Sequence, residues 1–241
     1  MGDESLAGTE YRQIDTRHLE TGSLKLMLDD YALPTLESLI NRIAHAHLQH
    51  RSVAIHCVTV TELIFALSAL NDAGAAPGDR IEHASVIPEE AMPMLRDAGI
   101  TVVTQPNFIA ERGDQYLADV PISEHHQLYR TGTLLRAGIP LGGGTDAPFG
   151  DADPWCAMRA AVNRYTLNGY TLGQQEQISP EQALRLFTSA ADNPGGPARS
   201  VSVGADADLC LLDRSWQVAR TRLQHKDVAA TIRAGEVIYQ R

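Results

Sequence analysis

Short β-branched and aliphatic runs alternate with helical segments along most of this chain, and each run ends on a chemically reactive side chain. Ser23 to Leu28, Arg51 to Val58, Arg80 to Ala84 and Ile100 to Gln105 read as strands. Between them, Thr35–His50, Thr61–Ala73 and Pro88–Ala98 show apolar residues at helical spacing. Lys25, His56 and His83 fall on successive strands, 31 and 27 residues apart. That is the period of βα units in a parallel sheet, whose carboxyl edge holds the functional site in barrels and open sheets alike.

A further strand, Pro140 to Thr145, runs through Gly142-Gly143-Gly144 into Thr145-Asp146-Ala147-Pro148. Glycine lets the backbone approach a neighbour closely, and Pro148 restricts the residue before it. An apolar strand therefore delivers the Asp146 carboxylate to a cavity. The glycines are not a phosphate loop, because the lysine and helix start that such a loop needs are missing. Residues 106–123 read as a long loop walling the site. Glu124 to Ala137 reads as a helix. Asp153-Pro154 and Ser179-Pro180 open two more, the second with Gln182 as capping-box partner. After Gly195 the helices cease. Leu209–Leu212, Val228–Arg233 and Glu236–Tyr239 read as strands of an antiparallel element, with Ala234-Gly235 as a hairpin turn. The domain reading is an irregular segment over 1–22, a βα domain over 23–196 and a small β element over 197–241.

Composition narrows the function classes. A net charge of −10 with no basic run argues against a nucleic-acid partner. No stretch approaches the roughly 18 apolar residues of a membrane helix. The first residues are acidic with no apolar core behind them, so no secretory signal is expected and the cytoplasm is the expected compartment. Three widely spaced cysteines, Cys57, Cys156 and Cys210, form no disulfide framework.

Imidazole and carboxylate together are ordinary ligands of zinc and similar metals, which lower the pKa of bound water to about 7. His56, His83 and Asp146 offer that set, and Asp146 could equally act as a base. The same residues also suit a plain structural role, as hydrogen-bonded core histidines and a capping aspartate. Strand alternation turns Glu82 away from His83 and toward Arg80 or Arg51 behind the sheet.

Leu24-Lys25-Leu26-Met27-Leu28-Asp29, Val53-Ala54-Ile55-His56, Arg80-Ile81-Glu82-His83-Ala84 and Gly144-Thr145-Asp146-Ala147-Pro148 together resemble the amidohydrolase superfamily, in particular its YtcJ-like branch. The resemblance implies an α/β fold: a partial (β/α)8 TIM barrel comprising strands four to eight, with a C-terminal strand segment of a small β-sandwich. It implies a metal-dependent hydrolase of amide-type, non-peptide carbon–nitrogen bonds. His56, His83, Asp146 and Lys25 are the implied metal ligands, Asp146 and His83 the catalytic residues. One or two divalent ions, zinc first among them, are the implied cofactor, and Lys25 corresponds to a lysine that can be carboxylated. Two features depart from the family pattern: no His-x-His precedes Lys25, and Cys57-Val58-Thr59 follows His56 where close relatives have Gly-Asp. The expected partners are a small amide-type substrate and a homo-oligomer or missing N-terminal half that completes the site. The alternative is a truncated, catalytically inactive protein with a structural or interaction role. Arg112, Asn107 and Tyr116, on the loop over the site, are the expected substrate contacts. Arg112 would grip a carboxylate through its fork, unless it pairs with Glu111 or Asp114.

Overall fold

The computed structural model describes residues 21–241. Most of the expected 1–22 segment therefore lies outside the described residues. Five parallel strands form one sheet in sequential order: β1 (Leu24–Met27), β2 (Val53–Cys57), β3 (Arg80–His83), β4 (Thr101–Thr104) and β5 (Leu141–Gly143). Helices α1 (Leu36–Leu48), α2 (Val60–Ala73) and α3 (Ala91–Asp97) are the crossovers between the first four.

The caps explain where the helices begin. Thr35 accepts a hydrogen bond from the Ser38 backbone N–H at 3.2 Å. Thr59 and Glu62 form a reciprocal capping box at the start of α2. Asp153 accepts from the Trp155 N–H ahead of α6 (Pro154–Asn163). Ser179 and Gln182 close the box that opens α7 (Pro180–Arg185).

Register makes one face of the sheet apolar. Leu26, Ile55, Ile81, Val102 and Leu141 stand in one row across the five strands. They join Leu39, Ile43, Leu63, Leu70 and Leu95 from the helices in the main core. The row Lys25, Ala54, Arg80, Thr101 and the row Met27, His56, Glu82, Val103, Gly142 occupy the opposite face. The outer edge of β5 is covered, since the Gly143 N–H donates to the Leu186 carbonyl at 2.9 Å.

Two expectations need correction. Residues 107–119 are a helix, α4 (Asn107–Asp119), and not a loop. Gly113 hides the helical signal. Its hydrogen faces Thr166, whose Cγ2 would lie 2.6 Å from an added Cβ. The stretch expected as one helix over 124–137 is a 3-10 turn at Ile122–Gln127 and then α5 (Thr131–Arg136). Between them Tyr129 takes a left-handed φ of 47°.

The C-terminal part forms an antiparallel sheet of β6 (Leu209–Leu212), β7 (Val228–Arg233) and β8 (Glu236–Gln240), and the expectation of no helix after Gly195 is corrected by a short helix α8 (Trp216–Ala219) between β6 and β7. Ala234 and Gly235 both have positive φ, as the tight hairpin requires. The fold is thus α/β, a parallel sheet with crossover helices plus a small antiparallel sheet. Among the described residues no helix is long and apolar enough to cross a membrane.

Candidate functional site

The carboxyl ends of the strands open into a cavity of about 800 Å³. Lys25, His56, His83 and Asp146 line it, on four different strands or strand ends. Register places Lys25 and His56 on the same face of the sheet. His83 does not follow from alternation, because it pairs with Cys57, whose row faces the core. Its φ of 71° breaks the strand and turns the ring back to the cavity. The His56 and His83 rings meet edge to face, with centroids 4.4 Å apart. Asp146 also sits at positive φ, 57°, and its carbonyl accepts from the N–H groups of Phe149 and Gly150.

The protonation states follow from burial. His56 is pulled down to about 4, first by desolvation and then by the charge of His83 and Lys25. It is neutral at pH 7. Desolvation also lowers His83, against the opposing pull of Asp146 and its bond to Gln105. That bond is 2.7 Å from Nδ1 to the Gln105 Oε1. The Gln105 Nε2 donates to the Val103 carbonyl, which assigns the amide orientation. A carbonyl oxygen only accepts, so the His83 proton sits on Nδ1 and Nε2 carries the lone pair. Desolvation lowers Lys25, partly offset by Glu82 and Asp146.

Glu82 bonds Arg80 Nε at 2.7 Å, as expected, but on a different face from the one alternation suggests. It shares the His56 row and lines a second recess of about 420 Å³ that also reaches Asp146.

Helix α4 forms one wall. Of the three residues expected to touch substrate, Arg112 and Tyr116 line the cavity. Asn107 is buried, and its amide donates to Glu111 and to the Thr145 carbonyl at 3.1 Å. It positions the Asp146 loop. Arg112 pairs with neither Glu111 nor Asp114: it donates to the Phe149 carbonyl at 2.8 Å and lies 4.3 Å over the Phe108 ring. With the Asp151 N–H on Glu111 Oε1, α4 holds the segment around Asp146 at three points, Thr145, Phe149 and Asp151.

Sequence reasoning missed Ser85 and Tyr129, which extend the wall that Tyr116 begins. Ser85 Oγ donates to the Tyr129 hydroxyl at 3.2 Å, and the Tyr129 and Tyr116 hydroxyls lie 3.0 Å apart. All three residues line the cavity, with Leu128, Phe108 and Phe149 supplying apolar surface. No short motif announces this ladder. Its members sit on three separate segments.

The sequence model of the amidohydrolase family matches residues 6–239. The chain belongs to the amidohydrolase family. N-substituted formamide deformylase of Arthrobacter pascens is 29% identical over 167 residues, 67% of this chain and 31% of that protein. The Bacillus subtilis (strain 168) protein named as amidohydrolase YtcJ is 24% identical over 214 residues, 85% of this chain and 40% of that one. This amidohydrolase-family chain thus spans about a third to two fifths of the length of these curated relatives. Among solved structures, an uncharacterized metal-dependent hydrolase from Pyrococcus furiosus superposes with a TM-score of 0.63 and 26% identity, covering 73% of this chain and 40% of that one. The Aspergillus niger (A. niger) ochratoxinase gives 0.63 at 21% identity, over 91% and 51%, which is a likeness of fold.

The metal expectation does not survive the donor count. Among the described residues no group of three or more His, Cys, Asp or Glu could hold a metal ion. A catalytic zinc keeps three protein ligands, and the two imidazoles, packed ring against ring, fall short of that number. The expected hydrolysis through metal-bound water, the zinc cofactor and a carboxylated, bridging Lys25 are withdrawn on this ground. His56, His83, Asp146 and Lys25 remain as lining residues of one cavity.

Proposed function

We propose that this chain is a catalytically inactive amidohydrolase-like protein with a structural or interaction role, whose cavity holds a small molecule without turning it over. The carrying observation is the pairing of a formed, largely apolar cavity with a donor set too small for a metal among the described residues. A pocket of this size, with a few convergent polar groups, suits a drug-sized ligand. Lys25, His56, His83 and Asp146 supply its polar floor, Arg112 and Tyr116 its wall.

On this reading β1 to β5 correspond to the fourth to eighth strands of the family barrel, and the chain falls in the YtcJ-like branch, supported by the match along 85% of this chain. Residues 23–196 form the cavity-bearing unit and 197–241 an appended sheet. The test is direct. The purified 241-residue chain is dialysed against zinc, analysed for bound metal, and assayed on a panel of amides and N-substituted formamides. Substoichiometric metal and no turnover are expected, together with small-molecule binding by ligand-observed NMR. Stoichiometric metal with turnover abolished by chelation would overturn the proposal.

A further inference from the structure

The three hydroxyls on the cavity wall form a hydrogen-bond chain, and burial gives that chain a direction. Ser85 Oγ donates to the Tyr129 hydroxyl, whose oxygen lies 3.0 Å from that of Tyr116. Tyr129 is only 1% exposed, so its own proton is out of reach of bulk water. A buried hydroxyl needs an acceptor for that proton. Ser85 is already the donor in its bond, and among the described residues the Tyr116 oxygen is the remaining partner. Tyr129 therefore donates to Tyr116, and the Tyr116 proton is left over. The Tyr116 side chain is half-buried and lines the cavity, and among the described residues its hydroxyl makes no further hydrogen bond. The chain thus presents one O–H donor to the cavity, with no charge involved.

The root of this chain is fixed. The Tyr129 N–H donates to the Ser85 carbonyl at 2.9 Å, and Arg164 donates to the Tyr129 carbonyl at 2.8 Å. A donor held in place in advance costs little further ordering when a ligand meets it.

The group that meets it must carry a lone pair, which rules out an ammonium. An anion is disfavoured, because the carboxylates of Asp119, one turn further along α4, and Glu124, on the following 3-10 turn, line the same cavity. Arg112 offers little compensation, since it already donates to the Phe149 carbonyl and covers the Phe108 ring. A neutral carbonyl oxygen remains. Phe108, Leu128 and Phe149 supply apolar and aromatic surface for the rest of the ligand, against which a ring packs well.

We propose that this cavity selects an uncharged aromatic carbonyl compound, an aryl ketone, ester or amide, whose oxygen accepts the Tyr116 O–H. The inference deepens, and rests on, the reading of the cavity as a small-molecule site. Tyr116 is its specificity determinant, and no bond is made or broken.

The experiment compares two probes of one shape, acetophenone and α-methylstyrene, in which a C=CH2 group replaces C=O. Both are titrated by ligand-observed NMR into the full chain and into Tyr116→Phe, which removes the donor and keeps the ring. The affinity ratio of ketone to alkene is expected to fall about fivefold in the variant, the size of one net hydrogen bond, with alkene binding unchanged. A side chain that only braced the wall would shift both probes alike, so an unchanged ratio overturns the proposal and leaves the small-molecule cavity standing. A wild-type measurement decides the matter even if the variant folds poorly. The carbonyl carbon resonance of isotopically labelled acetophenone should move downfield on binding from its position in hexane, as for a hydrogen-bonded carbonyl. A bound resonance at the hexane position overturns the proposal. So does a downfield shift that persists in Tyr116→Phe, which would assign the bond to another donor. If neither probe binds the wild type, the proposal and the small-molecule reading both fall.

Discussion

Arg164 and Lys25 are both cations drawn out of water, and the protein treats them in opposite ways. Arg164 is fully buried in the left-handed residue that ends α6. It donates to the carbonyls of Leu172, Tyr129 and Leu128 at 2.6, 2.8 and 3.0 Å. Burial pulls the guanidinium down to about 10, so it is still charged at neutral pH, with the Glu176 carboxylate pulling the other way. Lys25 keeps partial contact with solvent and has no direct partner among the described residues. A buried cation whose donors are all aimed at carbonyls is a structural pin. One left without acceptors at the bottom of a cavity has no such structural account. The two are connected, since the carbonyls that Arg164 holds belong to Leu128 and Tyr129, which wall the cavity over Lys25.

The sharpest way to break this comparison is to remove the pin. Arg164→Met should cost about 3–5 kcal/mol, the size seen when one partner of a buried charged network is deleted. Three carbonyls would lose their donor in a place water does not reach. Arg164→Lys should recover little, because one ammonium cannot reproduce the planar fork. Urea unfolding measures both, and a loss below about 1 kcal/mol for Arg164→Met would remove the basis of the contrast.

A smaller effect is expected beside the pin, where α4 meets Thr166. Gly113→Ala places a methyl group 2.6 Å from Thr166 Cγ2. Thr166 cannot turn freely, since its hydroxyl donates to Asp114 at 2.6 Å and accepts from the Tyr170 N–H. Overpacking of this kind costs about 1–3 kcal/mol, against a helix-propensity gain of about 1 kcal/mol. A net loss is predicted, read as a lowered urea midpoint with an unchanged slope. A rise in the midpoint would mean that α4 can shift away from the segment Arg164 anchors.

The sequence discloses the parts of this molecule that depend on local pattern. Strand period, the Asp153 and Ser179 caps and the Ala234-Gly235 turn are read from neighbouring residues, and the structure has them where expected. His56, His83 and Asp146 close or follow apolar runs and Lys25 sits inside one, and all four line the same cavity. What was not legible depends on residues distant in sequence. Gly113 disguised α4 because its need for a missing side chain comes from Thr166. Arg164 carries no local mark that separates it from Arg159. The face taken by Glu82 was misread because His83 leaves the β region, so the alternation rule fails at the residue where it was applied. The metal reading failed for a related reason: residue types suggest a ligand set, but only geometry counts how many donors converge.

The floor of the cavity should also respond to acid in a defined direction. His56 has an ordinary value of 6.5 and is pulled down to about 4 in the folded chain. The unfolded chain therefore binds more protons between those limits, so stability rises with pH across the window. It is fully present above about 6.5, declines as pH falls toward about 4, and levels off below. His83, lowered as well, adds in the same sense. Thermal melts from pH 7.5 to 4.5 should show the decline, and His56→Gln should flatten it. Because His56 keeps contact with solvent, the slope will be modest and other titrating groups will share it. A His56→Gln curve that parallels the wild type would show that this ring is not held neutral by its surroundings.

The smallest expected change in stability is the most telling one. Lys25→Met should leave the fold within about 1 kcal/mol of wild type, and on the stabilising side, because it replaces an unpartnered half-buried ammonium by an apolar chain of similar length. The row of Leu24 and Leu26 on the other face is untouched, and no hydrogen bond is lost. Arg164→Met makes the same kind of exchange, cation for thioether, with the opposite sign. Measured side by side in urea at pH 7, the pair separates a charge that holds the structure together from one that the structure tolerates. If Lys25→Met instead destabilised as strongly as Arg164→Met, Lys25 would be a second pin, and its amine would be engaged in the fold and not free to meet a ligand.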